Sequence, residues 1–119
     1  MGAQSTARWS IVRAPIQNVW SGYPRHWWEK VINEYEVNGI LFDDFKNGKL
    51  FDYKDNYSKL INKQGEFYDW FQGKAELRDQ ALRQVGAANG TPVVWKVGAN
   101  QVQAFKTAVG DVPGLTIVP

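Results

Sequence analysis

Cysteine is absent from the 119-residue chain, and histidine occurs once. Without thiols there is no disulfide framework, no thiolate zinc site and no cysteine nucleophile, so the fold does not depend on an oxidising compartment. The single histidine, His26, cannot form a two-histidine metal site. It also cannot supply the paired-histidine chemistry of many ribonucleases, and it weighs against a histidine-dependent HNH centre; it reads as a structural or surface residue. No run of about 18 apolar residues is present to cross a membrane. The opening MGAQSTARWSIVRAP lacks the apolar stretch of a signal peptide. Its small polar start reads as a cut edge, as expected for a domain of a longer polypeptide. Neither sign of charge dominates: the net charge is +2, which alone does not announce nucleic-acid binding.

Aromatic residues, in contrast, are plentiful. Six Trp, six Phe and five Tyr in a chain that is 44% hydrophobic can supply much of a core. The length predicts one domain over residues 14–119, with residues 1–13 as a loose lead. Charge is unevenly spread. Residues 1–33 carry four basic and one acidic group, residues 34–56 three and six, and residues 57–119 seven and five. An acidic centre between basic flanks fits a metal pocket in a phosphate-accepting surface, and equally an ordinary mixed surface.

The acidic centre is the stretch from Glu34 to Tyr57. It holds two Asn-Gly pairs, Asn38-Gly39 and Asn47-Gly48, each between short apolar runs. Asn-Gly suits the positive φ angles of a type I′ turn, so the spacing predicts two hairpins and a three-stranded meander. Two-residue loops would place Lys46 opposite Lys49 and Val37 opposite Ile40. One row across the sheet then holds Glu34, Asp43 and Asp52, with Lys54 beside Asp52 on the same face. Opposed carboxylates destabilise a sheet. A divalent cation such as Mg²⁺ would relieve them, and the nearby lysine would steady a developing negative charge. The competing reading is a row of solvated charges, or a bulge that shifts the register.

Asp43, followed by Asp52-Tyr53-Lys54, resembles the PD-(D/E)xK nuclease pattern. The longer strings VNGILFDDF and LFDYKDNYSKLI are similar to segments of restriction-endonuclease-fold toxin domains, in particular the Tox-REase-5 family. Further similarities are Ile16-Gln17 followed by Gly22, the run Gln80-Ala81-Leu82-Arg83-Gln84, and Pro92-Val93-Val94-Trp95. Asp52 stands where the family more often has Glu. Asp44 stands where it has Gly, so either Asp43 or Asp44 is the candidate ligand, with Asp43 favoured by the register.

Elsewhere hydrophobic periodicity predicts the elements. Ala14–Trp20 and Arg25–Asn33 have helical spacing, the second opened by Pro24. Ala75–Ala88 is the clearest helix, with Leu77, Ala81, Val85 and Ala88 on its apolar face and Gln80 and Gln84 on a neighbouring strip. Pro92–Val97 suits a buried strand, Ala99–Val109 a short helix and Leu115–Val118 a last strand. Tyr57, Phe67, Tyr68, Trp70 and Phe71 are candidates either to stack bases or to fill the core. Lys59, Lys63, Lys74 and Arg78 are candidates for phosphate contacts. The expected fold is an α/β sandwich with a mixed central sheet in the order αβββαβαβ, which the resemblance makes restriction-endonuclease-like.

The resemblance implies a metal-dependent nuclease toxin domain acting on DNA. Asp43, Asp52 and Glu34 would hold Mg²⁺ or Mn²⁺, and Lys54 would serve catalysis. Gln17, Gln80, Gln84, Asn56 and Tyr57 would support the site. It further implies a secreted effector delivered into a target-cell cytoplasm by an apparatus that engages a preceding segment, and a cognate immunity protein. The alternatives are an RNase of the same fold, or a non-catalytic module that binds nucleic acid or protein.

Overall fold

In the computed structural model, residues 7–15 and 29–119 are described. The chain is mixed α/β, with two helices and two sheets among these residues. Strands β1 (Ala7–Pro15), β2 (Glu29–Val37) and β3 (Ile40–Phe42) form an antiparallel sheet in that order. Strands β4 (Asp44–Lys46), β5 (Lys49–Tyr53), β6 (Val93–Lys96) and β7 (Leu115–Val118) form the second. β4 and β5 are antiparallel, while β5, β6 and β7 run parallel. The parallel connections are helical: α1 (Gly73–Ala88) joins β5 to β6, and α2 (Val102–Val109) joins β6 to β7.

Both Asn-Gly turns form. Asn38 and Asn47 have φ of 51° and 52°, Gly39 and Gly48 of 85° and 74°. Val37 therefore faces Ile40, and Lys46 faces Lys49, in the expected register. The middle strand of the meander, however, is broken. Asp43 is a bend between β3 and β4, so one expected sheet becomes two. The pairing with β5 persists through the bend, since the Asp43 N–H donates to the Phe51 carbonyl at 2.9 Å. Tyr35 on β2 stacks on Phe45 on β4, with ring centroids 4.7 Å apart, and ties the two sheets across the break.

The N-terminal third departs from the expected helices. Ala14 and Pro15 end β1, and Glu29–Asn33 lie in β2, paired residue by residue from Ala7↔Val37 to Pro15↔Glu29. The apolar Val31-Ile32 pair suits either helix or strand, and the distant partner strand decides between them. The loose lead expected over residues 1–13 likewise meets β1 from Ala7 onward. The remainder of both expected helices lies outside the described residues.

The core lies between the two helices and strands of both sheets, the first sheet contributing Val37 and Phe42. Trp95, Phe42, Phe105, Leu50, Val93 and Val109 are its largest fully buried side chains. On α1 the buried stripe is Leu77, Ala81, Gln84 and Ala88. Gln84 thus occupies a core position, and Val85, expected there, is only partly buried. The Asn38 side chain donates to the Ala87 carbonyl at 2.7 Å, which pins the first hairpin turn to the end of α1.

Candidate active site

The acidic row lies where β2, the bend at Asp43 and β5 come together, and its Asp52 meets α1. Continuing the β4–β5 register by one step sets Asp43 opposite Asp52, and continuing β2–β3 sets Glu34 opposite Asp43. Alternation then puts Lys54 on the Asp52 face, where its ammonium lies 3.0 Å from Asp52 Oδ2. Both side chains are largely buried, 8% exposed for Lys54 and 15% for Asp52.

Two glutamines of α1 close the site from above. Gln80 Oε1 accepts from Lys54 Nζ at 2.6 Å. Gln84 Nε2 donates to Asp52 Oδ2 at 2.7 Å. The glutamines are one turn apart, so both reach β5 from a single helix face.

Asp43 accepts from the Tyr53 backbone N–H at 2.6 Å. Its carboxyl is pushed up to about 6, chiefly by burial; the Tyr53 N–H opposes this, while the charges of Asp52 and Glu34 add to it. Glu34 is raised as well, by burial and then by Asp52. The three carboxylates therefore share one electrostatic field with one lysine. Asp44 points elsewhere: it accepts from the Tyr53 hydroxyl at 3.1 Å and lies 3.8 Å from Lys46. Of the two candidates, Asp43 is the one that faces Asp52.

Among the described residues no set of three or more His, Cys, Asp and Glu side chains stands in the arrangement of a metal cage. Mg²⁺, however, is commonly held by one or two carboxylates together with waters and substrate phosphates. The Asp43–Asp52 pair fits that donor set, since its mutual repulsion is what a cation would relieve. Glu34 adds negative charge.

Other expected members sit apart. Asn56 Oδ1 accepts from the Ser58 N–H at 2.9 Å and from Gln101 Nε2 at 2.8 Å, so it shapes the loop after β5. The Tyr57 ring packs edge-on against Phe67, Phe71 and Phe105. Its phenol is raised by burial first, then by Asp55 and Asp52, which puts it within the field of the site. Arg78 donates to the Val109 carbonyl at the end of α2 instead of facing solvent alone. Gln17 and His26 lie outside the described residues.

The loop aromatics divide. Tyr57, Phe67 and Phe71 belong to the core, whereas Tyr68 and Trp70 stack on each other at 5.3 Å in the open, Trp70 being 64% exposed. Sequence reasoning missed Trp95 as a polar participant. Its indole donates to Gln84 Oε1 at 2.6 Å, and its ring lies 4.1 Å from Lys54 Nζ. The available signal was a tryptophan, whose N–H needs an acceptor when buried, within an otherwise apolar strand. Tyr53, read only as the variable position between Asp52 and Lys54, was missed too.

No family model, curated protein or solved structure matches the chain. The resemblance to nuclease toxin domains rests on the motifs alone.

Proposed function

We propose that this chain is a metal-dependent nuclease domain of the restriction-endonuclease-like class that hydrolyses phosphodiester bonds in DNA. The observation that carries the reading is the Asp52–Lys54 pair: a carboxylate and an ammonium 3.0 Å apart, both largely buried, with Asp43 across the strand. In this reading Asp43 and Asp52 hold Mg²⁺ or Mn²⁺, with Glu34 reinforcing the negative field. The bound ion supplies Lewis acidity toward the scissile phosphate and acidifies a water. Lys54 uses two of its three N–H groups on Asp52 and Gln80. It turns the third toward the incoming phosphate oxygen, where charge develops in the transition state. Gln80 and Gln84 hold these two groups in place.

The motif resemblance extends the proposal to a toxin delivered into a target cell and restrained by an immunity protein that covers the acidic face. Among the described residues no helix is long and apolar enough to cross a membrane.

The test is incubation of the purified protein with supercoiled plasmid, and with RNA in parallel, with Mg²⁺, Mn²⁺ or a chelator. Metal-dependent nicking that is lost in Lys54→Ala and Asp52→Ala supports the reading. Cleavage of RNA alone changes the substrate. No cleavage of either by the folded protein, or full activity in both variants, sinks it.

A further inference from the structure

Trp95 has no exposed surface, and it is the register partner of Asp52 on the neighbouring strand. Its indole N–H can only donate. Gln84, itself 3% exposed, must therefore turn Oε1 toward the indole, which leaves Nε2 facing Asp52. An amide is nearly symmetric in shape, so packing alone would not choose between its two orientations. The Asp52 carboxylate selects the same orientation from the other end, and the indole anchors it: a flipped amide would set its NH₂ against the indole N–H and its oxygen against the carboxylate. The same tryptophan presents its ring face to Lys54 Nζ at 4.1 Å, a distance at which an ammonium is attracted to an aromatic face.

We propose that Trp95 is the positioning residue of this site: its N–H sets the Gln84 amide so that Asp52 always meets a donor, and its ring seats the Lys54 ammonium between Asp52 and Gln80. The catalytic meaning of this arrangement rests on the nuclease reading. The clamp itself is a property of the metal-free protein.

The indole N–H reaches Asp52 through the Gln84 amide, whereas the ring reaches it through Lys54. Trp95→Phe keeps a ring beneath Lys54 and deletes the donor. Gln84→Met keeps the volume of the helix residue and deletes the relay. If Trp95 works through Gln84, the two substitutions together cost no more than one of them, whereas independent core damage would multiply.

The first measurement is NMR of the Gln84 side-chain amide in the metal-free protein. Trp95→Phe is expected to move it from a carboxylate-bonded shift toward that of a free amide; an unchanged shift overturns the proposal. The second is Mn²⁺-dependent plasmid nicking by wild type, both single variants and the double variant. Trp95→Phe is expected to lower kcat about 10-fold, as loss of a group that orients a metal ligand commonly does, with KM little changed. In the Gln84→Met background it is expected to cost nothing further. Multiplying losses overturn the clamp. If Trp95→Phe does not fold, Gln84→Met decides alone: Lys54 must keep the upfield shift imposed by the Trp95 ring while nicking falls, and full nicking overturns the proposal. Wild type that cleaves nothing defeats the nuclease reading, and the amide shift still decides the clamp.

Discussion

At the scale of single residues, the site concentrates charge where water is scarce. Lys54 and Asp52 are both largely out of solvent, and removing one partner leaves the other uncompensated. Such a loss costs roughly 3–5 kcal/mol. Lys54→Met is therefore expected to lower stability by about that amount. The double variant Asp52→Asn with Lys54→Met is expected to recover most of it. Urea unfolding of the four proteins checks this; equal losses in single and double variants would show that the pair is not the cause. Asp43 makes the opposite kind of contribution. Its carboxyl ionises at about 6 in the folded protein against 3.8 when free, chiefly because of burial. Between those values the folded state holds the extra proton, so the stability from Asp43 is full below 3.8 and is lost as pH rises through 6. In the metal-free protein the wild type is thus expected to lose stability relative to Asp43→Asn across that window. Thermal unfolding from pH 3.5 to 7.5 measures the difference, and parallel curves would refute it.

At the scale of elements, the two Asn-Gly hairpins were legible because turn chemistry is local. Type I′ geometry needs positive φ at adjacent residues, and Asn-Gly suits it. The Asp43–Asp52 alignment followed from counting outward from those turns. The bend at Asp43 was not legible: nothing in ILFDDFK marks where β2 releases the strand and β5 takes it over. The swap of helix for strand at Glu29–Asn33 has a similar origin, since its partner lies more than a dozen residues away in the chain. The burial of Gln84 was half legible. The helix was clear, but whether 84 or 85 faces inward turns on the rotation of α1 about its axis, which the acceptor needed by Trp95 helps to fix. Backbone geometry also gives one substitution opposite effects in two elements. A Cβ at Gly48 meets nothing within 4 Å, yet φ there is 74°. Gly48→Ala is expected to cost about 1–2 kcal/mol through the left-handed conformation alone. Gly86, inside α1, also has open space and no such φ. Gly86→Ala is expected to stabilise by about 0.5–1 kcal/mol. Chemical denaturation of both variants checks the pair; the same sign for both would contradict the backbone argument.

At the scale of the whole molecule, the site and the core meet at Trp95 and Gln84. Phe105 on α2 meets Tyr57 and Phe67 edge-on and stands at 89° to Trp95, with ring centroids 6.2 Å apart. The loop after β5, both helices and the parallel strands thus converge on one aromatic cluster that ends at the tryptophan beneath Lys54. If that cluster is a single cooperative unit, the Trp95 indole N–H, buried and bonded to Gln84, should exchange with solvent only when the whole domain opens. The free energy from its hydrogen exchange should then equal the free energy of urea unfolding. Phe105→Ala opens a cavity in the cluster and is expected to lower both by the same amount, about 3–5 kcal/mol. Exchange at a free energy well below the unfolding value would show instead that α1 lifts from the sheet by itself. In that case Gln80 and Gln84 leave Lys54 and Asp52 in a partial opening, and the preorganisation argued for the site would last only as long as that helix stays down. Equality of the two values in wild type and in Phe105→Ala would tie the geometry around Asp52 to the stability of the entire fold.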